Sequence, residues 1–415
     1  MTPCATDSPG DPSGPCARGG SSPPPHGRRQ LATRSPAIGR CIILRAVGVA
    51  LGCAFAATAR AATDPFQDFS WDRVPVNIHF GKRGADMTEA ELDFIAAHSD
   101  FVTLEKGHGA SAHGGTEAGI ADTARRLKQR NPRIKVLFYL NAFINWPGYE
   151  SYQTFRPEWT LRSAAGEVVT HPSGTPRPDP SNPAFREWWS EVVAAAMRRG
   201  PLDGLFADAL QQALAPALAK SLGETKARAV AEGIREMMAL TKRKLGREKI
   251  LLANGTRAGK NVELLDWEGI DGVMIEHFDA FTARDPYDLK ADLDTMALAA
   301  RKGKFVALKG WPGFTWLDAD MMKRPHRELL ELARARITFP LGCFLIGAQR
   351  GSYFCYAWGY TETMGGLDAY PELERPLGAP RADAAWQGLT ATREFAHASV
   401  WIDLERKQAR IEWRK

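Results

Sequence analysis

Two short segments of the chain carry an acid at the same distance from a glycine. One is Leu202-Asp203-Gly204-Leu205-Phe206-Ala207-Asp208, the other Ile270-Asp271-Gly272-Val273-Met274-Ile275-Glu276. Side chains alternate in direction along a strand, so Gly204, Phe206 and Asp208 share one face, as do Gly272, Met274 and Glu276. The glycines relieve crowding where each strand begins, and the acids project where it ends. Two carboxylates facing one cavity are the minimum apparatus for cleaving a glycosidic bond: one is general acid on the leaving oxygen, the other nucleophile or base. Asp208 and Glu276 are therefore the candidate catalytic pair. Asp203 and Asp271, at the strand entries, suit turn or cap roles.

Other apolar runs also end in polar residues: Asn77 and His79, Glu105, Tyr139 and Asn141, Asn254, Lys309, and Gln349 just past the last run. For any one of them a turn or cap role is the better reading. Together they predict a polar rim, because buried polar groups need partners. All twelve tryptophans lie after residue 70. Trp146, Trp311, Trp316 and Trp358 fall on loops at the predicted rim, where indole faces stack on apolar sugar faces. Trp188, Trp189, Trp267 and Trp386 fall at helical positions and suit core packing. The expected substrate-binding set is Asn77, His79, Glu105, Lys106, Tyr139, Asn141, Trp146, Asn254, Lys309 and Trp311. Lys309 has a second reading, an ion pair with one of the acids. A metal site would draw on His79, Glu105, His108, Asp208, Glu276 and His277. No His-x-His or His-Glu-x-x-His spacing is present, and alternation turns His277 away from Glu276, so no metal or other cofactor is expected.

The elements that must position these residues follow from hydrophobic rhythm. Short, nearly continuous apolar runs occur at 74–80, 101–105, 135–141, 204–209, 249–255, 272–278, 305–310 and 342–348. Such runs mark strands buried on both faces of a parallel sheet. Helical patterns fill the gaps, with Thr88 as a cap, a helix over 116–130 stopped by Pro132, Asn182 capping a helix that begins at Pro183, and Asp285 capping another at Pro286. The pattern over 210–245 is long enough for two helices, and 318–337 is a further one. Eight strands alternating with helices predict a (β/α)8 TIM barrel over 72–350, close to the ~250 residues typical of that fold. An open doubly wound sheet is the alternative, weakened by the lack of a Gly-x-Gly-x-x-Gly turn after the first strand. The connection 142–181 is long and rich in Pro, Gly and aromatics, with a hairpin predicted over 161–170. Residues 351–415 form a small β extension, ending in a hairpin that turns near Arg406-Lys407.

The formal charge of +6 invites a nucleic-acid reading until it is located. Residues 1–61 hold seven arginines against two acids, Asp7 and Asp11, which leaves the rest at +1. No nucleic-acid partner is expected. Residues 1–61 read as an export signal: a basic region rich in Pro, Gly and Ser, a short apolar run at 41–57, and a small-residue site at Ala59-Arg60-Ala61. Arg28-Arg29 is a weaker twin-arginine candidate, and Cys53 a weaker lipoprotein candidate. The run is shorter than the ~20 residues of a membrane helix, so no stable span is expected once the signal is removed. The expected location is exported, periplasmic or secreted. Cys343 and Cys355 remain, a pair that export would allow to oxidise.

The order of segments FVTLEKGHG, KVLFYLNAFINWPGY, DPSNPAFREWW, DGLFADA, ILLANG, DGVMIEHF, FVALKGWPG and GYT…YPELERPLG resembles the hypothetical glycosyl hydrolase-like family fifteen, from about residue 72 to 413. More distantly it is similar to the endo-α-1,4-polygalactosaminidase barrels and clan-D α-galactosidases. The resemblance implies a glycosidase with one carboxylate after strand four, Asp208, and another near strand six, Glu276. The clan-D analogy makes Asp208 the nucleophile and Glu276 the acid/base of a retaining mechanism. The departure is that Glu276 is followed by His277, which leaves the assignment of roles open. The expected function is hydrolysis of an extracellular or cell-envelope polysaccharide. The alternatives are a carbohydrate-binding protein without turnover on the same barrel, and a metal-dependent lyase or aldolase.

Overall fold

A computed structural model describes residues 68–414. The export-type segment 1–61 lies outside the described residues, and among them no helix is long and apolar enough to cross a membrane. Eight parallel strands, in sequence order, form one sheet: β1 (Asn77–Phe80), β2 (Phe101–Leu104), β3 (Lys135–Asn141), β4 (Gly204–Asp208), β5 (Ile250–Thr256), β6 (Gly272–Ile275), β7 (Phe305–Gly310) and β8 (Ser352–Tyr356). Val76 bridges Phe354, whose N–H donates to the Pro75 carbonyl at 2.8 Å, so the sheet closes on itself. This is the expected (β/α)8 barrel.

Seven of the eight strands lie where the apolar runs predict them. The eighth does not. Gly342–Ala348 was expected as a strand, but Thr338–Gly347 is a helix, buried throughout from Pro340 to Gly347. A run that is apolar on every side has neither the period of a helix nor that of a strand. Here it is wedged between the barrel and a second sheet, so all its faces are covered. The barrel therefore continues through β8, past the expected boundary at residue 350. Gln349 precedes β8 at the opposite end from the rim, and its amide donates to Asp383 at 3.3 Å.

Capping sets the helix starts. Thr88 and Glu91 form a reciprocal capping box, and Asn182 and Asp285 each accept an N–H two residues on, just ahead of a proline. The stretch 210–245 divides into three helices, the long one being Glu224–Leu245. Asp203 and Asp271 pin strand entries: Asp203 accepts the Val136 N–H at 2.8 Å, and Asp271 accepts the Leu251 N–H at 2.7 Å. The 161–170 turn is present, with Arg162 bridging Val168 around Gly166.

After the barrel, β9 (Ala385–Gln387), β10 (Thr390–Glu394), β11 (Ala398–Asp403) and β12 (Gln408–Trp413) form an antiparallel sheet that packs on the Thr338–Gly347 helix. Its β11–β12 hairpin is the predicted one. Buried Arg393 donates to the Leu345, Ile346 and Ala348 carbonyls, satisfying the C-terminus of that helix. Cys343 and Cys355 are both buried and not bonded to each other.

Inside the barrel, Phe101, Phe305 and Tyr353 stack at the lower end, and His79, Tyr139 and Phe206 above them. The glycines at the strand entries make this packing possible. A Cβ on Gly204 would lie 2.0 Å from the Ile250 carbonyl oxygen, and one on Gly272 would lie 2.3 Å from the Phe305 ring. Gly204→Ala is therefore expected to lower the unfolding free energy by ~3 kcal/mol, since the obstacle is backbone. Gly272→Ala should lower it less, because the Phe305 ring can turn. Denaturant midpoints of the two variants check the order.

Candidate active site

Asp208 is the last residue of β4, and the chain turns at once. Ala209 adopts φ +64°, an unusual conformation for a residue with a Cβ, and its N–H donates to Asp208 Oδ1 at 2.6 Å. Asn254 Nδ2 donates to the same oxygen at 2.8 Å. Asp208 Oδ2 accepts from Asn141 Nδ2 at 2.9 Å and from the Tyr139 hydroxyl. Burial and the Asp208 charge push the Tyr139 phenol well up, so it stays protonated and donates. Four donors thus surround one carboxylate, an environment that favours its anion.

Glu276 follows β6. Its Oε2 accepts from the same Asn254 Nδ2, at 2.8 Å, and its Oε1 accepts from the Tyr360 hydroxyl at 2.6 Å. Burial pushes the Glu276 carboxyl up, but the bond from His277 and the charges of His79 and Lys309 outweigh it and hold the group well below the usual glutamate range. His277 was expected on the far face. It instead sits with Nε2 3.4 Å from Glu276 Oε2. The strand ends at Ile275, so the alternation that would turn His277 away no longer applies.

Glu105 and its neighbours form the other wall. His79 Nε2 donates to Glu105 Oε1 at 2.9 Å, and Lys106 Nζ donates to Oε2 at 2.9 Å. Burial would raise the Glu105 carboxyl, but Lys106 and His79 hold it down at about 2. Its two cations hold it as an anion in the resting site. The Lys106 ammonium lies 5.0 Å from the Tyr139 ring centre and 5.6 Å from that of Trp146.

Two expected substrate contacts are placed elsewhere. Asn77 begins β1 below His79, 1% exposed, and its amide has no hydrogen-bond partner among the described residues. Lys309 is fully buried, with neither carboxylate bonded to its ammonium. It lies 3.5 Å from the Tyr360 ring centre and 4.0 Å from that of Trp311, and donates to the Gly359 carbonyl at 3.0 Å. Burial brings it down to about 8. Lys309 supports the aromatic wall from beneath. Trp311 donates its indole N–H to the Glu276 carbonyl at 2.8 Å.

Tyr360 is the functional side chain that sequence reasoning missed. It lies just past the true β8, Ser352–Tyr356, whereas the misplaced eighth strand puts Gln349 at the strand end. Of the residues weighed for a metal, His108 faces away, against Thr123 and the Lys82 N–H. Among the described residues, the cluster near enough to share an ion is Asp86, His113 and Asp122, outside the rim, and Arg126 already pairs with both of its acids.

A closed parallel barrel, with paired carboxylates at the ends of its fourth and sixth strands, defines a glycoside-hydrolase type of protein. The model of hypothetical glycosyl hydrolase family 15 matches residues 128–399, well over half the chain, and the chain belongs to that family. Similar solved structures include the glycoside hydrolase domain of PelA from Pseudomonas aeruginosa, 16% identical over 71% of this chain and 96% of that one, TM-score 0.45. Aspergillus fumigatus Ega3 in complex with galactosamine is 11% identical over 72% and 96%, TM-score 0.41. The Geobacillus thermoleovorans α-amylase complexed with acarbose is 13% identical over 80% and 86%, TM-score 0.48. No curated protein matches the chain.

Proposed function

We propose that the protein is a retaining glycoside hydrolase acting on a polysaccharide outside the cytoplasm, with Asp208 as nucleophile and Glu276 as acid/base. One observation carries this reading. A single amide nitrogen, Asn254 Nδ2, lies 2.8 Å from an oxygen of each carboxylate. Those two oxygens are therefore no further apart than twice that distance. Inverting enzymes need ~6.5–9.5 Å to admit a water between the carboxyl groups, and retaining enzymes ~5–5.5 Å. The donors around Asp208 support its role as nucleophile, and Glu276 takes the acid's role by its position across Asn254. Asp208, held by four donors, stays an anion and attacks the anomeric carbon. Glu276 gives its proton to the departing glycosidic oxygen as the C–O bond breaks. It then takes a proton from the water that displaces Asp208. The export-type N-terminus supports the location of the substrate.

Reducing-end release from a panel of polysaccharides tests the activity, and proton NMR of the first product tests the stereochemistry. Retained anomeric configuration is expected; inversion would remove Asp208 from the nucleophile role.

The pH profile is a second test. The acid must be protonated to act, and Glu276 is held well below its ordinary value. A lowered value moves the high-pH limb of kcat/KM toward acid. That limb is expected below the pH at which an ordinary glutamate would place it. Lys309→Met removes one of the charges that depress Glu276, so the limb should move to higher pH. An unmoved limb would deny Glu276 the acid's role.

A further inference from the structure

We propose that a groove beside the rim holds the glycan chain where it continues past the catalytic carboxylates, a secondary binding site for the same polymer. This rests on the reading of the rim as a glycosidase site. One wall is Asp279, Trp311 and Gly313, from the loops after β6 and β7; the other is Trp401 of β11 with Gln408 and Arg410 of β12. The groove has a volume of about 690 Å³, within the ~300–1,000 Å³ of small-molecule sites.

Trp311 joins the groove to the reaction centre. Its indole N–H donates to the Glu276 carbonyl, and its ring lines the groove. Behind the groove wall, rings pack on one another as far as Tyr360, which bonds Glu276. Tyr360 to Trp316 is 4.9 Å between centres, Trp316 to Trp311 5.5 Å, and Trp311 to Phe281 5.4 Å. Trp401, half-buried, stands on the far wall with the Arg410 guanidinium 5.9 Å from its ring centre. The Trp401 indole, flanked by the Gln408 amide and the Arg410 guanidinium, suits a pyranose ring: its apolar face stacks, and donors reach hydroxyls. Lys407, in the hairpin turn, pairs with Asp279 on the rim loop. That pair ties the two walls together, and Arg336 and Arg410 leave the groove with further guanidinium donors for hydroxyls.

The test is electrophoresis of the whole protein in native gels containing dissolved galactomannan, xylan or dextran, beside Trp401→Ala, Trp401→Phe and Arg410→Ala. At least one polymer is expected to retard the wild type. Trp401→Ala should weaken the apparent affinity about tenfold, ~1.4 kcal/mol. Trp401→Phe should restore part of it. Arg410 is largely exposed, so Arg410→Ala folds as the wild type does and should weaken retardation in the same direction. The proposal is overturned if no polymer retards the wild type, or if Trp401→Ala and Arg410→Ala are retarded like it. Reducing ends are scored separately. Retardation that depends on Trp401 without hydrolysis would keep the groove and remove the glycosidase reading. Hydrolysis with retardation indifferent to Trp401 and Arg410 would do the reverse.

Discussion

Asp208→Asn is expected to lower kcat by at least ~10⁴-fold, the scale on which loss of a catalytic nucleophile is felt. The amide is nearly the same size, so the pocket keeps its shape, but it cannot form the glycosyl intermediate. It also disturbs the local hydrogen bonding. Tyr139, Asn141, Asn254 and the Ala209 N–H all donate to this carboxylate, and an amide offers them one oxygen in place of two. The donors left over cost ~1–3 kcal/mol of stability. Glu276→Gln should lower turnover of natural substrate by ~10²–10⁴-fold, the range for general acid catalysis. The two variants part company on an aryl glycoside whose leaving group needs no proton. Glu276→Gln should then form the glycosyl intermediate at close to the normal rate, seen as a burst of phenol, while Asp208→Asn gives none. Equal behaviour of the two on the aryl glycoside would abolish the assigned roles, and a burst from Asp208→Asn alone would reverse them. The same experiment separates turnover from mere carbohydrate binding.

The residues that were legible in the sequence are those whose constraint is local. Gly204 and Gly272 are glycine because a Cβ would strike the neighbouring strand or its side chain. The acids four residues on share their face by strand geometry, so the segment pattern alone aligned Asp208 and Glu276. What failed depended on tertiary surroundings. The 342–348 run is a helix covered on all sides by the barrel and the second sheet, which no local period records. That displaced β8 and hid Tyr360, although the hydroxyl of Tyr360 bonds Glu276 as directly as Asn254 does. His277 was misdirected because β6 stops one residue before Glu276. Lys309 ends a strand as the pattern implies, but it is buried beneath two rings from other loops, Trp311 and Tyr360, that no local pattern shows closing over it.

Asn254→Asp should be the most pH-dependent of the site variants. Asn254 Nδ2 is the shared donor between Asp208 and Glu276, and the substitution puts an oxygen in its place. Three carboxyl groups then crowd one point, and an unscreened like pair at ~4 Å costs about 4 kcal/mol at an effective dielectric constant of 20. The trio relieves this by keeping a proton, so one carboxyl titrates well above its ordinary value. A carboxyl raised in the folded state is at no disadvantage below its unfolded value. Above that pH the unfolded chain releases the proton more readily, and stability is lost as pH rises. The melting temperature of Asn254→Asp is thus expected to approach that of the wild type near pH 4 and fall away from it toward pH 7. Asn254→Ala, which removes the bridge without adding a charge, should show a deficit that varies little with pH. Both should lose ~10²–10³-fold in kcat/KM near neutrality, the range for removing one preorganised donor. Parallel pH curves for the two melting deficits would mean that the three side chains do not meet in solution, and with that the separation argument for retention would lose its footing.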